Sequence, residues 1–174
     1  MITYRDVAPS DFKDLHENFL SYIDELKENP DLGLVLMKEK PTAAEELDWF
    51  ARTVSGIERG NTVTTVAVNE GGRVVGLCDV RRVSPGTYGS HKGELGIAIR
   101  REYRGKGIGT ELLRLTLEKC RGEFEVIQLR VFSINLAKKL YTRFGFTSYG
   151  HDPYGVYRNG KYFEEDLMLL KLSH

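Results

Sequence analysis

Apolar positions along the chain follow two periods, and the switches between them predict its elements. Ile2 to Val7 alternates as a short strand. Pro9-Ser10 punctuates it, and Ser10 is placed to cap a helix over 10–28 whose apolar face is Phe12, Leu15, Phe19, Ile23 and Leu26. Asn29-Pro30 stops that helix, and 31–41 carries no readable period. Thr42-Ala43-Ala44-Glu45 is a capping box. It opens a second helix with Ala43, Leu47, Phe50, Ala51 and Val54 on one face, ending near 56–60.

Strands dominate the middle. Thr62–Val68 is β-branched, Glu70-Gly71-Gly72 signals a hairpin, and Arg73–Val83 is its second arm. After the turn-rich stretch from Ser84 to Gly93, Glu94–Ile99 makes a further strand. A third helix carries Ile108, Leu112, Leu115 and Thr116 on one face and ends at Gly122. Val126–Phe132 is a buried strand, and Leu136, Ala137, Leu140, Tyr141 and Phe144 form a fourth helix. Phe146–Tyr149 and Tyr162–Leu170 are the last strands, with Asn159-Gly160 turning between them. The order β-α-α-β-β-β-α-β-α-β-β, without repeat or linker, predicts one α/β domain over residues 1–174.

Composition narrows the class. The 174 residues balance 25 Lys+Arg against 25 Asp+Glu, which argues against nucleic acid as a partner. No apolar run approaches the ~18 residues of a membrane span, and the N-terminus lacks the apolar core of a signal peptide. A cytoplasmic protein with no membrane partner is therefore expected. Cys78 and Cys120 have no CxxC spacing, so no metal is expected and both read as packed thiols.

The sharpest local signal is Tyr103-Arg104-Gly105-Lys106-Gly107-Ile108-Gly109, between a strand and a helix. Glycine lets consecutive backbone N–H groups converge, and the helix that follows adds its positive end. Such a turn holds phosphates; the plainer alternative is a tight basic turn. A P-loop would need Ser or Thr after Gly105-Lys106, where Gly107 stands. A Rossmann fingerprint would need GxGxxG in a βαβ unit, and the spacing here is GxGxG. A nucleotide-binding regulator is thus disfavoured.

Arg104-Gly105-Lys106-Gly107-Ile108-Gly109 resembles the acyl-CoA pyrophosphate loop of the GCN5-related N-acetyltransferase (GNAT) superfamily, Arg/Gln-x-x-Gly-x-Gly/Ala. Glu94-Leu95-Gly96-Ile97-Ala98-Ile99 is similar to the family's fourth strand. Asn135-Leu136-Ala137-Lys138-Lys139-Leu140-Tyr141, followed by Gly145-Phe146, is similar to its N-x-x-A-x-x-L-Y…G-F segment. The resemblance implies a mixed, mostly antiparallel central sheet flanked by about four helices. It further implies direct acetyl transfer from acetyl-CoA to an amine acceptor, a small molecule or a protein amine. Acceptor choice would fall to the loops 29–41 and 84–93. A non-catalytic acyl-CoA-binding domain of the same fold is the alternative.

On that resemblance the pyrophosphate would meet the N–H groups of Gly105, Lys106, Gly107, Ile108, Gly109 and Thr110, with Arg104 and Lys106 adding mobile charge. The oxyanion donor would be the N–H of Ile97 or Ile99, which requires a gap in strand pairing. Glu94 is the first candidate base, acting through water; His91 is the second, and Asp79 could face the same site. Tyr141 would be the acid for the departing thiolate, or simply a packed aromatic. Asn135 would bind pantetheine or cap its helix. Tyr149, Tyr154, Tyr157, Tyr162 and Phe163 could line an acceptor cleft, although core packing explains most of them. Glu164-Glu165-Asp166 could attract an amine or edge the sheet, and the last strand could pair with a second copy in a homodimer.

Overall fold

The computed structural model describes residues 1–34 and 37–173. Its strands are β1 Thr3–Arg5, β2 Thr62–Val68, β3 Val74–Arg82, β4 Lys92–Ile99, β5 Val126–Phe132, β6 Thr147–Arg158 and β7 Lys161–Lys171. Its helices are α1 Phe12–Glu28, α2 Ala43–Glu58, α3 Ile108–Cys120 and α4 Ala137–Arg143, with single 3-10 turns at Pro9–Asp11 and Arg101–Tyr103. The strands form one sheet in the order β1-β2-β3-β4-β5-β7-β6. Only the β4–β5 pairing is parallel. A mixed, mostly antiparallel sheet with four helices is therefore what the chain forms.

Two apolar clusters hold the helices to opposite faces. Leu15 of α1 and Phe50 of α2 pack on Val66, Val68 and Val74. On the other face Ile108, Leu112, Leu113 and Leu117 of α3 bury against Val75, Cys78, Val80, Ile127 and Leu129. Burying an aliphatic side chain stabilises by about 1.5–3 kcal/mol, so these two layers carry most of the driving force. Between them, β4 pairs with β5 only from Lys92 to Glu94, whereas β3 accompanies β4 to Ile99. Beyond Glu94 the parallel strands part.

Several sequence expectations are corrected. Ser10 caps no helix: Asp11 stands at that place, its carboxylate accepting from Ala8 N at 2.8 Å while it pairs with Arg5 at 2.7 Å. The face of α2 is rotated, with Glu46, Phe50 and Thr53 buried and Leu47 54% exposed. Glu46 turns inward towards His16 of α1, 3.6 Å away. Strand β6 runs through the Pro153–Gly155 stretch because irregularities between Asp152 and Val156 absorb it. The last strand, β7, lies inside the sheet between β5 and β6, so the exposed edge belongs to β6. Glu165 and Asp166 are consequently buried and paired rather than a solvated edge.

Candidate active site

The β4–α3 turn is shaped by glycine. Gly105 and Gly107 have φ of 73° and 80°, a left-handed region that other residues occupy at a cost of about 1–2 kcal/mol. The chain then enters α3 with no side-chain cap. The first accepting carbonyl is that of Gly107, which takes Glu111 N at 3.2 Å. The N–H groups of residues 105–110 have no intramolecular acceptor among the described residues. Six orphan donors at a helix start are suited to a pyrophosphate. Ile108 is buried and anchors the turn to the core, while Thr110 is exposed.

The two basic side chains of the turn both have partners within the chain. Arg104 forks onto Glu25 of α1, Nη1 to Oε1 at 2.5 Å and Nη2 to Oε2 at 2.8 Å, and donates Nε to the Ile99 carbonyl at 2.8 Å. Lys106 donates Nζ to the Glu102 carbonyl at 2.8 Å and lies 5.5 Å from the Tyr103 ring centroid. Glu25 had no sequence signal beyond its helical position, because nothing local shows which face of α1 meets the turn.

The opening between β4 and β5 begins where their pairing ends. The His91 carbonyl accepts from Glu125 N and Val126 N, towards β5, whereas the Lys92 carbonyl accepts from Val83 N, towards β3. Strand backbones alternate, so the N–H and C=O of Ile97 and Ile99 face the opening. Arg104 occupies the Ile99 carbonyl. Ile97 is therefore the residue in the opening with both backbone groups uncommitted among the described residues.

An open depression of about 370 Å³ on the α2 face is lined by Trp49, Asp79, Arg81, Glu94, Leu95 and Gly96. Glu94 is exposed and has no ion pair or hydrogen bond among the described residues. Asp79 stands opposite Gly96 in the ladder, and its Oδ1 lies 3.1 Å from where a Cβ on Gly96 would be. Burial pushes the Asp79 carboxyl up, and Arg81 opposes that shift through a 2.7 Å bond from Nε to Oδ2. Arg81 also donates Nη2 to Thr53 Oγ1 at 3.2 Å and sits 5.4 Å from the Trp49 ring centroid. The sequence reading missed Trp49 and Arg81. Alternation along β3 links Arg81 to Asp79, but only the register sets Arg81 opposite Glu94. A second hollow of about 410 Å³, beside Arg52 and Arg59, has no carboxylate in its wall.

Tyr141 lies on the other face, 7% exposed, with its ring 5.8 Å from that of Phe146. Burial raises its pKa, and the Cys78 thiol adds to the shift. Cys78, which pairs with Ile97 in the ladder, and Tyr141 belong to the same core cluster, and Ile97 packs against it. The structure thus gathers Glu94 and Asp79 on one side of the opening and Tyr141 on the other. It leaves His91 apart, its Nδ1 at 3.1 Å from the Tyr88 carbonyl in the preceding loop. Asn135 acts as a cap, its Oδ1 accepting from Ala137 N at 2.9 Å. Cys78 and Cys120 are fully buried, and burial pushes the Cys120 thiol up to about 12. Tyr149, Tyr154, Tyr157 and Tyr162 are each more than half exposed, so core packing does not account for them; Phe163 alone of that group is buried.

Residues 20–146 match the family model described as acetyltransferase (GNAT) family. Comparison by sequence with curated proteins gives no match. Among solved structures, a GNAT superfamily phosphinothricin acetyltransferase from Sinorhizobium meliloti in complex with acetyl-CoA superposes with a TM-score of 0.81. It is 22% identical, over 98% of this chain and 88% of that one. The Salmonella typhimurium protein yncA with acetyl-CoA gives 0.84 at 19% identity, over 100% and 95%. A ribosomal-protein-alanine N-acetyltransferase from Brucella melitensis gives 0.81 at 22%, over 98% and 99%. At these identities the likeness is one of fold.

Proposed function

The chain belongs to the GNAT acetyltransferase family, and from that premise we propose that its 174 residues are one N-acetyltransferase domain moving an acetyl group from acetyl-CoA directly to an amine. The observation that carries this reading is the parting of β4 from β5 beside six orphan N–H groups. The N–H groups of Gly105–Thr110 hold the pyrophosphate, and the opening takes the pantetheine arm. Ile97 N–H donates to the thioester oxygen as charge develops there; removing one such donor elsewhere costs about 2.7–4 kcal/mol. Ile99 N–H is left to the pantetheine, together with the amide Nδ2 of Asn135, whose Oδ1 already accepts from Ala137 N.

Glu94 removes a proton from the acceptor through water, since an ammonium has no lone pair. Lysine-type amines have pKa near 10.4 and α-amines near 7.7–8.0, so deprotonating the former costs roughly 3 kcal/mol more. Tyr141 donates to the departing thiolate from the opposite face. A thiolate is a competent leaving group with pKa near 8.5, so the phenol's contribution is modest. The acceptor reaches the site through the depression at Trp49. The loop 29–41, of which residues 35 and 36 lie outside the described residues, and the loop 84–93 shape the acceptor choice. No described helix is long and apolar enough to cross a membrane.

Thermal unfolding with acetyl-CoA, against ATP and NADH as controls, tests the cosubstrate. Ligand at 100 times its dissociation constant adds about 2.7 kcal/mol, which raises the midpoint by roughly 5–10 °C for a chain of this size. A rise with acetyl-CoA alone supports the reading, and amine-dependent thiol release then separates an enzyme from a binding domain. Folded protein with no rise removes the acyl-CoA assignment.

A further inference from the structure

Three arginines of the β4–α3 connection reach back to α1. Arg100 donates Nη1 to Asn18 Oδ1 at 3.3 Å, Arg101 pairs with Glu28 at 2.8 Å, and Arg104 forks onto Glu25. The third contact differs from the Arg101–Glu28 pair in its burial, and from the buried Arg100–Asn18 contact in joining two charged groups through two prongs. The Glu25 side chain is 9% exposed and that of Arg104 32%, whereas Arg101 and Glu28 are 68% and 70% exposed. An exposed pair contributes little, while a two-pronged, shielded one fixes geometry. Tyr22, one turn before Glu25 and 6% exposed, closes the pair off on the α1 side.

The geometry makes Arg104 a brace rather than a ligand. Three of its five N–H bonds are already directed at Glu25 and the Ile99 carbonyl. Through one guanidinium, α1 is tied to the last residue of β4 and to the residue immediately before Gly105. Both parts of the cosubstrate site, the opening and the orphan N–H row, start from those two points.

We propose that Glu25 is a positioning residue for the pyrophosphate: it locks Arg104 against the Ile99 carbonyl and so fixes the turn that presents the N–H groups of residues 105–110. The inference rests on the acyl-CoA reading above. It makes the opposite prediction from a direct Arg104–phosphate contact. If Arg104 were held in reserve for the phosphate, neutralising Glu25 would release it and tighten binding.

The test is calorimetric titration of the full chain with acetyl-CoA and with S-acetylpantetheine, which lacks the pyrophosphate. Glu25→Gln is expected to weaken acetyl-CoA about 10-fold and to change S-acetylpantetheine less than 2-fold. Arg104→Lys, which keeps the charge and loses the fork, is expected to weaken acetyl-CoA equally and guards against misfolding of the first variant. Unchanged or tighter acetyl-CoA binding in Glu25→Gln overturns the proposal. So does an equal loss for both ligands, because a general loosening of β4 would not distinguish them. Wild-type protein that binds no acetyl-CoA removes the underlying reading instead.

Discussion

Glu94 and Tyr141, the proposed base and acid, stand on opposite faces of a sheet whose parallel pair parts after Glu94. Glu94→Gln is expected to lower kcat/KM about 100-fold for lysine-type amines and less for α-amines, because general base catalysis matters most where the proton is held hardest. Steady-state rates across amines of graded pKa check this, and an equal loss for all of them argues against a base. Tyr141→Phe is expected to lower turnover about 10-fold with acetyl-CoA affinity unchanged. An ordinary phenol is already protonated at neutral pH, and burial makes this one a weaker acid. The modest figure follows instead from the thiolate being a competent leaving group. Both residues are proposed from the family-like motifs around them. Asp79 could be named from sequence but not located, and Arg81 was not named. Their meeting with Glu94 depends on a cross-strand register that local sequence does not encode.

At the scale of elements, local chemistry decided starts and turns. Thr42 caps α2 as its sequence predicts: its hydroxyl accepts from Glu45 N at 3.3 Å, and Glu45 Oε2 accepts from Thr42 N at 2.8 Å. Thr42→Ala is expected to cost about 1 kcal/mol in urea unfolding without altering acetyl-CoA affinity. The turn before α3 behaves differently. A Cβ on Gly107 would meet no atom within 4 Å, so within the fold the glycine is required by its φ of 80°, and a side chain there would meet the proposed pyrophosphate. Gly107→Val is therefore expected to lose about 1–2 kcal/mol of stability and, separately, acetyl-CoA binding. Intact affinity in that variant would remove the phosphate assignment from the turn. The face that α2 buries was misread because an apolar moment cannot foresee Glu46 meeting His16, or Thr53 meeting Arg81.

For the whole molecule, the accessible surface is 9934 Å². A compact chain of this mass should expose about 8,600 Å². Opposite Val131 on the parted stretch of β5, Asp166 of β7 ties α4 to the sheet, accepting from Lys138 and lying 3.0 Å from His151 Nδ1 of β6. Lys138 and then His151 hold its carboxyl below the usual carboxylate range. A lowered folded pKa contributes stability above the unfolded value, near 3.9, and that stability is lost as pH falls through the folded value. Asp166→Asn is thus expected to be about 1.5 kcal/mol less stable than wild type at pH 7, with the difference closing below about pH 4. Urea titrations at pH 7 and pH 3 would show it.

The sequence by itself determined the elements, their order, the capping box and the glycine turn, because each depends on residues within a few positions of one another. It also carried the family resemblance, since three motifs keep their order along the chain. Tertiary structure alone decided that β4 and β5 part after Glu94, that β7 lies inside β6, and that Arg104 is held by Glu25 from 79 positions away. Strand pairing and long-range ion pairs are settled by which surfaces meet when the chain closes, and no local period records that.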